Sequence, residues 1–204
     1  MSSIRLVYWG IGLILMSSEV LAGGAIRSAA FSGQPLVYQS DGKINGCGVR
    51  VVGVSDFSSP GSEVAVLDSS FVVYGQGMSV VKAGMGTTTG AGVVSRNLDL
   101  KPVRPESFWM RKEGGNPTAP VQGKIFPSPD DANFLFYAVP IASYVDLSEV
   151  VYGQHELQVG LKPAGAGFEW ILAGKLTMSE TDIRRYGECM QTLIKNLDAP
   201  SQPR

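Results

Sequence analysis

Pro35-Leu36-Val37-Tyr38, Val49-Arg50-Val51-Val52-Gly53-Val54 and Val64-Ala65-Val66-Leu67, the last continuing to Phe71-Val72-Val73-Tyr74, are apolar runs crowded into 41 residues, Gln34 to Tyr74. Asp41-Gly42 and Ser58-Ser59-Pro60-Gly61-Ser62 stand between them. Asp and Gly tolerate left-handed backbone and Pro fixes φ, so both intervals read as turns, and the valine-rich runs read as strands. Connections this short join antiparallel neighbours, because a helical crossover needs a dozen residues or more. The stretch therefore predicts an antiparallel meander.

Working outward, Gly75-Gln76-Gly77 introduces a further run over residues 78–83, and Asp99-Leu100-Lys101-Pro102 closes another over 93–98. Residues 134–139 form an unbroken apolar run, as a strand buried on both faces would, with Pro140 at its end. Residues 156–161 and 168–173 flank the turn Pro163-Ala164-Gly165-Ala166-Gly167 and read as a hairpin. Between residues 112 and 129, Gly114-Gly115-Asn116-Pro117 and Pro120, Pro127 and Pro129 mark a long loop. Charged residues make up only 17% of the chain beside 25 Gly and 12 Pro, which favours turns and short strands over solvated helices.

One helix is expected. Ser179-Glu180-Thr181-Asp182 has the spacing of a capping box. Ile183, Tyr186, Met190, Leu193, Ile194 and Leu197 then recur at three- and four-residue intervals, opposite Arg184, Arg185, Glu188, Gln191 and Lys195. The fold class is thus mainly β (α+β), an antiparallel β-sandwich or bent sheet closed by one C-terminal α-helix. It occupies a single β-rich domain over residues 23–198, with a disordered tail over 199–204.

Residues 1–22 read as a cleavable export signal. Arg5 supplies the positive start, residues 11–16 the apolar centre, and Val20-Leu21-Ala22 the small-residue cleavage site. Gly10 and Gly12 interrupt the apolar stretch, which falls short of the roughly 20 residues that span a bilayer. Gly23, not cysteine, follows the cleavage point, so no lipid anchor is expected. The mature protein is expected to be periplasmic or secreted, with no integral membrane segment. In an oxidising compartment the only two cysteines, Cys47 and Cys189, are expected to form a disulfide between an early strand and the flank of the C-terminal helix.

Catalytic patterns are sparse. A net charge of −1 offers no basic footprint for nucleic acid. His155 is the only histidine and no Gly-x-Ser-x-Gly elbow occurs, so His155 reads as an ordinary surface residue. Gly84-Met85-Gly86-Thr87-Thr88-Thr89-Gly90-Ala91-Gly92 lacks both the Walker ending and the Gly-x-Gly-x-x-Gly spacing, and reads as a flexible strand connection. Asp130-Asp131, with Asp146 and Glu149, gathers acids without the alternation of a calcium loop. Two Cys and one His fall short of a structural zinc site. The aromatics Phe108, Trp109, Phe134, Phe136, Tyr137, Tyr144, Tyr152 and Trp170 read mostly as core, with a ligand pocket as the other use.

The expectation is an exported soluble binding or interaction domain of a bacterial cell envelope, non-enzymatic and without cofactor or metal, holding a protein or a small ligand. The alternatives are a carboxylate-dependent periplasmic hydrolase and a subunit of a surface or secretion assembly, which an exposed strand edge would mark.

Overall fold

The meander forms as the turns dictate. In the computed structural model, which describes residues 26–56, 58–96 and 98–198, β1 (Ile26–Ser40), β2 (Lys43–Ser55), β3 (Glu63–Tyr74) and β4 (Ser79–Thr89) pair in order, each antiparallel to the next. Asp41 (φ 52°) and Gly42 (φ 73°) close the β1–β2 hairpin with positive φ at both central positions, the twist that suits a two-residue loop. The export signal over 1–22 and the tail over 199–204 lie outside the described residues. Among the described residues no helix is long and apolar enough to cross a membrane.

Seven short strands complete the sheet: β5 (Lys101–Val103), β6 (Pro105–Lys112), β7 (Phe126–Pro127), β8 (Phe134–Val139), β9 (Leu157–Pro163), β10 (Trp170–Gly174) and β11 (Leu176–Thr177). The hydrogen-bonded order is β6-β9-β10-β1-β2-β3-β4-β8-β7, with β5 on β4 and β11 on β1. The hairpin of residues 156–161 and 168–173 is present as β9 and β10. The sheet is bent, since β6 at one end of the path packs against β4 and β8 near the other. Phe108, Met110, Leu161 and Leu172 from one wing meet Val51, Phe71, Val81 and Tyr137 from the other in one buried core.

Not every ladder is antiparallel. β10 and β11 both run parallel to β1, with Ile26 opposite Ile171 and Phe31 opposite Leu176. This seam joins the last strands to the first, and the crossover it requires is most of the chain.

Among the described residues three α-helices stand where one was expected. α1 (Gly90–Ser95) replaces the strand predicted over 93–98, because Thr89 Oγ1 accepts from Gly92 N (3.2 Å) and starts a helical turn that Arg96 ends at φ 58°. α2 (Ile141–Val151) packs on β6 and β3 and buries Tyr144, Leu147, Val150 and Val151. α3 (Glu180–Asp198) is the expected amphipathic helix, lying on β2 and β1 with Tyr186, Cys189 and Leu193 buried. Its cap forms as read: Ser179 Oγ accepts from Asp182 N (3.1 Å) and donates to Asp182 Oδ2 (2.6 Å).

Two further readings are corrected. Gly84–Thr89 is not a loose connection but the second half of β4, paired to β3 throughout. β8 is half-buried instead of buried on both faces: Leu135, Tyr137 and Val139 point inward, while Phe134 and Phe136 face outward.

The disulfide is present. Cys47 and Cys189 are bonded (S–S 2.00 Å, Cα–Cα 5.9 Å) across 142 positions, fastening α3 to β2. Beside it, Tyr186 and Tyr144 share a hydroxyl–hydroxyl bond of 2.8 Å, and Tyr144 donates on to Cys47 O (3.3 Å). Burial pushes the Tyr186 phenol up to about 12 and raises that of Tyr144 further.

Candidate functional site

The outer face of the β6–β9–β10 wing carries a connected set of side chains. From Ser107 to Arg111, past an irregularity in register between Pro105 and Ser107, β6 alternates: Phe108 and Met110 enter the core, so Ser107, Trp109 and Arg111 project outward. Trp109 stands directly opposite Gly160 of β9. With no Cβ on Gly160 the indole lies down across the strand; a Cβ there would overlap its ring atoms. The indole Nε1 then reaches Glu169, at the start of β10, and donates to Oε1 at 2.8 Å.

The surroundings hold this ring in place. Arg111 donates from Nε to Gln158 Oε1 (2.8 Å) and sets its guanidinium carbon 5.0 Å from the indole centroid. Lys162 Nζ lies 3.1 Å from Glu106 Oε1 at the other border. In register, Trp109, Gly160, Ile171 and Ile26 make one row across four strands, and Ile26 is 61% exposed.

The free edge of β6 is occupied by its own chain. Met110 N donates to Thr118 Oγ1 (2.9 Å), Thr118 N donates to Met110 O (2.8 Å), and Tyr137 Oη donates to Phe108 O (2.9 Å). The long loop after residue 112 is thus pinned to the strand it leaves, through a buried threonine. Burial raises the Tyr137 phenol to about 12, against the opposing hydrogen bond from Thr118. Strand addition at this edge would have to displace all three bonds.

The acids fall in two separate places. Lys112 Nζ sits between Glu149 Oε2 (2.6 Å) and Asp146 Oδ1 (3.0 Å), one helical turn apart on α2. The hydrogen bond to Glu149, then that to Asp146, holds the ammonium above its ordinary pKa. His155 Nε2 lies 3.4 Å from the same Glu149 oxygen, its side chain 39% exposed. Asp130 faces Lys82 at 3.9 Å, and Asp131 accepts from Asn133 N (2.9 Å) within its own turn. The pairing of Asp146 and Glu149 around one lysine leaves no open gap between two carboxylates, which is the geometry a glycosidase uses.

A hollow of about 450 Å³ lies beside the β1–β2 and β3–β4 turns, under the end of α3. Ile44, Tyr74, Met78, Leu193 and Leu197 line it, and Asn196 Nδ2 ties α3 to Ile44 O across it (3.0 Å). Burial raises the phenol of Tyr74. Of the aromatics singled out in the sequence, Phe108, Tyr137, Tyr144 and Trp170 are core, whereas Trp109, Phe134 and Phe136 face outward and Tyr152 is exposed. The grouping of Trp109 with Gly160 and Glu169 was not legible beforehand, although the alternation from Ser107 to Arg111 would have placed Trp109 and Arg111 on one face.

No family model, no curated protein and no solved structure matches the chain.

Proposed function

We propose that the chain is an exported, non-enzymatic binding domain of the cell envelope, and that it holds its partner on the outer face of β6, β9 and β10. The observation that carries this reading is the fixed indole of Trp109, laid on Gly160 and bonded to Glu169. Aromatic rings with a polar handle are favoured contact residues because they bring large area at small entropic cost. Here the ring sits on a sheet, not on a loop, so its position is set before any partner arrives. Export is supported by the pattern of residues 1–22 and by a buried disulfide, a bond that persists in oxidising compartments.

The test is co-sedimentation with isolated cell envelopes. Wild-type protein is expected in the pellet, and Trp109→Ala in the supernatant with its far-UV spectrum retained and a cooperative melt, lowered because the ring no longer covers Gly160. Equal partition of the two proteins would remove this face as the contact.

A further inference from the structure

Apart from the Trp109 face, we propose that the open edge of β1 from Pro35 to Gln39 docks a second copy of this chain, its own β1 antiparallel, about a two-fold axis at Val37. Among the described residues, β10 covers that side of β1 only at Ile26–Ser28 and β11 only at Phe31 and Ser32, while β2 follows the other side as far as Ser40. The ladder phase says which backbone groups are left over. Gly75 N donates to Asn45 O (2.8 Å), one position beyond the pair Gly46–Tyr74, so the odd-numbered residues of β2 bond to β3 and the even-numbered ones to β1. Gln34, Leu36 and Tyr38, opposite Arg50, Gly48 and Gly46, therefore bond to β2, and Pro35, Val37 and Gln39 turn their backbone groups outward. Pro35 fits this phase, because a proline is tolerated in a sheet where its nitrogen faces away from the ladder. The extra residue at the irregularity beside Tyr38 is Asn45, on β2, so β1 itself runs on unbroken.

An open row of N–H and C=O groups is a template for another strand, and charged side chains are the usual guard. None stands between Gln34 and Ser40. What selects a second copy is the fit of this edge to itself. With Val37 opposite the copy's Val37, the two exchange both N–H···O bonds, and each Gln39 N–H meets the other chain's Pro35 carbonyl. The side chains match in the same register: Leu36 falls opposite Tyr38, apolar on apolar, and Gln34 opposite Ser40, polar on polar. Tyr38 is 40% exposed and Leu36 half-buried, so both have area left to cover. Asp41 falls opposite Gly33, and no like charges meet along the strand. Sliding the copies until Pro35 opposes Val37 loses a bond at the centre, and sliding them the other way sets Leu36 against Ser40. A contact built from the same edge twice closes on itself and stops at a dimer.

Purified protein with the Cys47–Cys189 bond intact is followed by sedimentation velocity from about 1 to 500 μM and by hydrogen exchange at single amides. Monomer is expected at the dilute end and dimer at the concentrated end. The Val37 and Gln39 amides should exchange freely when dilute and about tenfold or more slowly when concentrated, while Leu36 and Tyr38 stay protected in both. Val37→Pro removes an N–H that the single chain leaves unused, and Tyr38→Lys sets a charge against the copy's Leu36. Each should weaken association by about tenfold or more with a cooperative melt retained. Should Val37→Pro fail to fold, Tyr38→Lys carries the test. A protein that stays monomeric throughout would overturn the proposal. So would a dimer that neither substitution weakens, or one in which Val37 and Gln39 still exchange freely. Protection of those two amides by soluble envelope extract, without self-association, would give the edge to a strand of another protein and equally remove the second copy.

Discussion

At four places a glycine faces an aromatic ring directly across a ladder: Gly53 and Phe31, Gly46 and Tyr74, Gly84 and Phe134, Gly160 and Trp109. In each pair an added Cβ would crowd the ring, so the ring covers the bare backbone of its partner. Gly174 is under a harder constraint, because its missing Cβ faces the backbone carbonyl of Ala29 on β1, which cannot swing aside. Gly174→Ala should therefore cost about 1–3 kcal/mol, read from the shift in denaturant midpoint. Gly61→Ala, where nothing lies within 4 Å, should be neutral or slightly stabilising. The buried phenols of Tyr137, Tyr144 and Tyr186 set the alkaline limit. Each is raised above its unfolded pKa of 10, so the folded state holds the proton more tightly. The stability this confers is intact below pH 10 and is lost as pH climbs toward 12 and beyond. A pH titration followed by phenolate absorbance should show these three ionising together with loss of near-UV dichroism, and their ionisation in a folded protein would contradict the burial described.

At the scale of elements, α3 shows how much a local signal can carry. Its cap, stripe and cysteine are all set within 20 residues, and Ser179→Ala should lower stability by about 1 kcal/mol in chemical denaturation while Ser179→Thr, whose hydroxyl can still accept from Asp182 N and donate to its carboxylate, largely preserves it. α2 gives no such signal. It opens on Pro140 without a side-chain cap, carries the β-branched Ile141, Val145, Val150 and Val151, and leaves Ile141 and Val145 exposed, so its apolar pattern has no clean helical period. The meander of β1 to β4 was legible because its turns are local. The parallel seam of β10 and β11 on β1 was not, since that pairing is decided by packing between opposite ends of the chain. The face proposed for binding was hidden for the same reason: Trp109, Gly160 and Glu169 meet only through the β6–β9 and β9–β10 registers.

Across the whole molecule, the sheet bends until β6 reaches β4 and β8, and the Cys47–Cys189 bond fastens the last helix to the second strand. Closing a loop of 142 residues restricts the unfolded chain strongly, so Cys47→Ala and Cys189→Ala should each lower stability by about 2–4 kcal/mol, with the double variant no worse than either. The clamped helix contributes Leu193 to the hollow beside Tyr74 and Met78, a surface separate from the Trp109 platform on the β6–β9–β10 wing. Only the platform is assigned to the partner. Hydroxyl-radical footprinting of the protein, free and bound to isolated envelopes, reads both surfaces at once, because tryptophan and methionine are each readily oxidised. Protection is expected at Trp109, with Met78 modified equally in both samples. Protection at Met78 with Trp109 unchanged would contradict the assignment.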